Sequence, residues 1–158
     1  MRRRRAGSAR AAQLPKAFVT GAIVTATRVT ATPAALELIE RLRARHGPLL
    51  FHQSGGCCDG SSPMCFPRAE FAIGEVDVLL GEIGEQPFYM SESQFAYWGH
   101  THLIIDVVPG RGGMFSLEGP EGLRFLTRSR LYTDEEWAEL PPASHGPRPE
   151  PPEPQPSA

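Results

Sequence analysis

Pro48-Leu-Leu-Phe-His-Gln-Ser-Gly-Gly-Cys-Cys-Asp-Gly-Ser-Ser-Pro-Met-Cys65 is the stretch on which the reading of this chain turns. Pro48–Gln53 is an apolar run of strand character, and it enters a loop punctuated by Gly55, Gly56, Gly60 and Pro63. The chain's 3 cysteines, Cys57, Cys58 and Cys65, all fall in this loop. With His52 and Asp59 beside them, they combine soft thiolates, a borderline nitrogen and a hard oxygen, the ingredients of a metal site. Cys57, Cys58, Cys65, His52 and Asp59 are therefore the candidate ligands. The spacing matches neither a zinc ribbon nor a zinc finger, which need paired C-x2-C or His-x3-His. A single cysteine is most simply a small buried hydrophobe, but three within nine residues of a Gly/Ser-rich loop call for thiol chemistry, through a metal or through redox.

Outward from the loop, helical signals precede it. Thr32 offers a capping hydroxyl, Pro33 presets φ at the first helical position, and Ala35, Leu38, Ile39 and Leu42 recur at helical spacing. Arg41, Arg43, Arg45 and His46 crowd the carbonyl end, and Gly47-Pro48 stops the run. The spacing predicts a helix over 33–46 with a solvated basic face. After the loop, 69–73, 76–83 and 87–90 read as strands, Ser91 caps a short helix through Trp98, and His102–Val108 reads as a central strand. A Gly-rich turn at 109–113 leads into strand-like runs at 114–118 and 123–127. Residues 134–140 form a last helix with Trp137 and Leu140 facing inward.

The ends differ in composition. Residues 1–27 carry Arg2–Arg5 and then an Ala/Thr-rich segment with no regular period, and read as a basic disordered extension. From Pro141 onward 8 of 18 residues are proline, which argues against helix or regular strand and for a disordered tail. The prediction is one globular domain over 28–140: a small, mostly-β α+β fold with one long N-terminal helix packed on the sheet. Without the six basic residues among the first 16, residues 17–158 hold 10 basic and 18 acidic side chains, a net −8. That acidic body excludes a nucleic-acid surface on it. No apolar run reaches the length of a membrane span. Three clustered cysteines point to a reducing cytoplasm rather than a disulfide framework; a signal peptide built on Arg2–Arg5 and Ala17–Val24 is the lesser reading, its apolar run being short and diluted by Thr and Gly.

Residues 28–140 resemble the bacterial family known as domain of unknown function 779, through Thr32-Pro-Ala-Ala35, the Phe51–Cys65 motif, Leu80-Gly-Glu-Ile83 and Leu103-Ile-Ile-Asp-Val-Val-Pro-Gly-Arg-Gly-Gly113. Members are small proteins often encoded beside aldehyde dehydrogenases, so the resemblance implies such an enzyme as a partner. The order of elements is also similar to that of the A-type iron–sulfur carriers of the HesB/IscA kind, which are small and mostly β. In that resemblance Cys57 matches the carrier's loop ligand; the carrier's C-terminal Cys-x-Cys has no counterpart, because no cysteine follows Cys65. Cys58, Cys65, His52 or Asp59 would then have to complete the site.

Four functions follow as expectations. The first is an accessory protein holding iron, zinc or an iron–sulfur cluster in the thiol loop. The second is a thiol redox or electrophile-handling protein in which Cys57 or Cys58 attacks and Cys65 resolves. The third is a non-thiol enzyme using His100, His102 and Asp106, which share one face of a strand shared with Ile104 and Val108. The fourth is a non-catalytic partner of an aldehyde dehydrogenase. A homodimer is compatible with each. Glu75, Asp77, Glu82 and Glu85 read as solvent-facing charges. The sequence shows no phosphate loop, dinucleotide fingerprint or serine-nucleophile elbow.

Overall fold

The computed structural model describes residues 26–55 and 62–147. The order of elements is β1 (Val29–Ala31), α1 (Pro33–His46), β2 (Leu49–Gln53), β3 (Met64–Pro67), β4 (Asp77–Ile83), β5 (Gln86–Ser91), α2 (Glu92–Trp98), β6 (Thr101–Pro109), β7 (Leu123–Leu131), α3 (Asp134–Glu139) and β8 (Ser144–His145). The strands form two mixed sheets, one ordered β1-β6-β7 and the other β3-β2-β5-β4-β8. The fold is a small, mostly-β α+β arrangement. No helix among the described residues is long and apolar enough to cross a membrane.

Local chemistry accounts for α1. The Thr32 hydroxyl accepts from the Ala35 amide at 3.3 Å, Pro33 occupies the first turn, and Gly47 closes the helix at φ 77°. Ala35, Leu38, Ile39 and Leu42 are buried. They join Leu49, Phe51, Val78, Phe88, Met90, Leu103, Ile105 and Phe125 in one core cluster drawn from both sheets. Phe51 meets Phe125 edge to face across that cluster, with centroids 5.1 Å apart. The β4–β5 hairpin turns through Gly84 and Glu85, both at positive φ. A Cβ on Gly84 would lie 3.0 Å from Ile39 Cγ2, so the hairpin approaches α1 closely at a positive-φ position that favours glycine.

The central position of β6 agrees with its β-prone composition: it pairs in parallel with β1 and antiparallel with β7. Its core face is the odd-numbered one, however, with Leu103 and Ile105 buried while Ile104 and Val108 are only partly covered. Other expectations need correction. Residues 69–73 are not a strand: Arg68–Glu70 form a 3-10 turn, and Phe71 stacks on Phe66 at 4.5 Å instead of pairing its backbone. Residues 114–118 are turns, with Met114 and Phe115 exposed. Trp137 does not face inward: it is 54% exposed, with its ring tilted against Tyr132. The proline-rich end contains a two-residue strand, with Ser144 and His145 pairing Leu79 and Val78. Residues 148–158 of that tail, and residues 1–25, lie outside the described residues.

Candidate functional site

Strand alternation decides where each candidate ligand points. In β2, Leu49 and Phe51 belong to the core cluster, which puts Leu50 and His52 on the opposite face. Cys65 is register partner to Phe51, and Met64 to His52. Cys65 therefore shares the core face with Phe51, and His52 lies on the other side of the same sheet. These two members of the candidate ligand set do not converge. Cys57, Cys58 and Asp59 lie outside the described residues. Among the described residues no three His, Cys, Asp or Glu side chains are grouped to hold a metal ion.

Cys65 is fully buried in β3 rather than displayed in a loop. Burial, assisted by the nearby Glu118 carboxylate, pushes its thiol far above the ordinary cysteine range. Its amide donates to Ser116 Oγ at 2.9 Å, and its carbonyl accepts from the Leu117 amide at 3.0 Å. The Ser116 hydroxyl donates to Glu118, which also accepts from the Phe125 amide at 3.4 Å. Glu118 is buried, and desolvation outweighs these hydrogen bonds to raise its pKa. Nearby in sequence, Gln53 is fully buried and accepts from the Thr127 hydroxyl at 2.6 Å.

His52 is held by Asp77, with Nε2 and Oδ1 2.9 Å apart and both side chains largely buried. An ionised carboxylate only accepts, so Nε2 carries the proton, and in the neutral ring Nδ1 is the basic nitrogen. The carboxylate is itself fixed, since Oδ2 accepts from the Gly74 amide at 2.8 Å. The imidazole packs on Phe71, centroids 5.0 Å apart, and its register neighbour on β5 is Tyr89. Asp77 is thus not the solvent-facing charge that its sequence context suggests. No spacing links positions 52 and 77; the parallel β2–β5 pairing and the β4–β5 hairpin bring them together. From His52 the chain runs to Gly55, where an added Cβ would lie 3.0 Å from Gln94 Nε2 of α2.

The His100, His102 and Asp106 grouping does not form an open site. His102 is bonded through both ring nitrogens, to Thr30 Oγ1 at 2.9 Å and to the Thr27 carbonyl at 2.8 Å. Asp106 accepts from Thr32 and Arg128, each at 2.9 Å, and the Arg128 guanidinium holds its carboxyl below the usual range. His100 is exposed ahead of β6.

Residues 38–131, more than half of the chain, match the family described as Domain of unknown function (DUF779). The chain belongs to the DUF779 family. Its matched region begins within α1 and ends with β7, so it contains the whole thiol stretch, His52 and Asp77. No curated protein matches the chain.

Proposed function

We propose that this DUF779 protein is an accessory protein that binds a single zinc or ferrous ion, with Cys57, Cys58 and Asp59 as donors from the thiol stretch and His52 as the nitrogen donor. The observation that carries the reading is the 2.9 Å hydrogen bond between His52 Nε2 and Asp77 Oδ1. A ligating histidine characteristically donates its second ring nitrogen to a carboxylate, which fixes the tautomer and makes the other nitrogen more basic. Four residues of chain separate His52 from Cys57, within easy reach of a shared ion. Two thiolates, an imidazole and a carboxylate suit a tetrahedral ion.

An iron–sulfur cluster asks for about four thiolates, and with Cys65 in the core the chain offers two. That makes the carrier-like reading, in fold and in cargo, the weaker proposal. The redox reading loses its resolving thiol for the same reason. The Asp77–His52 pair does favour one other use of Cys57 or Cys58, as a nucleophile activated by an oriented imidazole. The aldehyde dehydrogenase partner rests on the family resemblance alone.

Elemental analysis of protein purified anaerobically tests the metal reading. Stoichiometric metal is expected in the wild type and in His102→Ala, and is lost in Cys57→Ser and Cys58→Ser. Asp77→Asn should lower affinity about 10- to 100-fold, the usual effect of removing a carboxylate behind a ligating histidine. Wild-type protein without metal, or full retention in both serine variants, rejects the proposal. Metal-free protein whose Cys57 alkylates rapidly near neutral pH, and slowly in His52→Ala, supports the nucleophile instead.

A further inference from the structure

The sheet β1-β6-β7 gives one face to the core through Leu103, Ile105 and Phe125. Alternation puts the even-numbered residues of β6 and β7 on its other, outer face. There Leu126 stands opposite Asp106 in the register, with Ile104 and Val108 as its diagonal neighbours. These three apolar side chains are half-buried, yet they take no part in the core cluster. Arg124 and Arg128 flank Leu126 along β7, and Arg130 follows. Asp106 engages Arg128 at 2.9 Å and Glu136 engages Arg130 at 2.8 Å.

The chain enters the fold over this same face. His102, also even-numbered, reaches the Thr30 hydroxyl with one ring nitrogen and the Thr27 carbonyl, 2.8 Å away, with the other. That second bond holds the backbone at Thr27 on the outer side of β6, and Ala26 just before it is buried. One residue further upstream come residues 17–24, Ala-Phe-Val-Thr-Gly-Ala-Ile-Val, a run without a charge. From His102 to Val108 is six residues of strand, about 20 Å. Eight residues of extended chain reach about 26 Å. The run is therefore long enough to cross the face from the point where it is attached.

We propose that residues 17–24 dock across the outer face of this sheet as its intramolecular occupant, their apolar side chains covering Ile104, Leu126 and Val108. Apolar area on both partners supplies the attraction. The tether raises the effective concentration of the segment to about the millimolar range, so a modest contact suffices. A second copy suits the face less well, because a two-fold contact would set the arginine-bearing β7 against itself. A partner that takes this face must then displace the segment. His52 and the thiol stretch play no part, so this contact and the metal reading stand or fall separately.

The test is limited chymotrypsin digestion of the full chain, with release of residues 1–18 by cleavage after Phe18 followed by mass spectrometry. A synthetic peptide of residues 10–25 is the undocked reference. Cleavage that requires the segment to lift off reports the docked fraction. In the full chain it should be at least about tenfold slower than in the peptide, at every protein concentration. Leu126→Asp, which puts a charge at the centre of the face, should bring cleavage to within about threefold of the peptide. Ile23→Asp should do the same from the other side of the contact, measured against a peptide carrying that substitution. Thermal melts establish that each variant is folded; should Leu126→Asp fail that control, Val108→Asp near the end of β6 takes its place. Cleavage of the wild type at the peptide rate, protection that fades on dilution as a contact between copies would, or protection unaltered by the substitution on the face overturns the proposal.

Discussion

Replacing Cys65 by alanine separates the buried cysteine from the two proposed as ligands. The side chain is fully buried among Phe51, Phe125 and their neighbours, so the substitution removes one heavy atom from a closed core. Loss of transfer energy for a group of methylene size is about 0.8 kcal/mol. A residual cavity of about 25 Å³, at about 24 cal/mol per Å³, adds about 0.6 kcal/mol. The sum is about 1.4 kcal/mol, or roughly 4–8 °C in melting temperature for a fold of this size. Urea and thermal denaturation of wild type and Cys65→Ala measure it, with metal content determined on the same samples. The expected result is lower stability at unchanged metal stoichiometry. Metal lost from a variant whose stability is unaltered would mean that Cys65 is a ligand, and the face assignment drawn from the β2–β3 register would be wrong.

Other consequences can be measured independently. In the native protein Cys65 should resist iodoacetamide, and should react only when denaturant opens the core, as peptide mass mapping can establish. Gly84→Ala places a Cβ at φ 54° and 3.0 Å from Ile39 Cγ2; a loss of about 1–2 kcal/mol in urea unfolding is expected, and an unshifted midpoint refutes the close approach. Glu118 has a folded pKa above its ordinary value of 4.5, so the fold favours the protonated acid. Its contribution is complete below pH 4.5 and declines as pH rises through the raised folded value. Glu118→Gln, neutral throughout, should therefore gain stability relative to wild type as pH increases from about 4.5, the model-peptide range of a carboxyl; parallel stability curves would contradict the sign.

The parts of this fold legible in the sequence are those written in adjacent residues. Thr32-Pro33 and Gly47 bound α1, Ser91 caps α2 through the Gln94 amide at 3.4 Å, and the run of β-branched residues marks β6. Each signal acts within one turn or one strand. What was not legible depends on pairing between distant segments. Met64–Pro67 looks like the end of a loop because Pro63 and Pro67 flank it, yet it is a strand once β2 offers its edge. Ser144–His145 pairs only because β4 presents Val78 and Leu79. Asp77 meets His52 across an intervening strand, which no local pattern encodes.

The same alternation also sorts the candidate ligands by face. In the β2–β3 hairpin the odd positions 49, 51 and 65 serve the core cluster, while His52 and Phe66 face the other way, against Phe71. A thiol on the core face contributes packing but not a thiolate, because desolvation holds its proton in place. An imidazole on the opposite face is anchored by Asp77, with four residues of chain between it and Cys57. Thus three cysteines within nine residues need not act as one cluster: a strand start between Cys58 and Cys65 assigns the last to the core, and for that reason the proposed metal site draws on Cys57 and Cys58, with His52, instead.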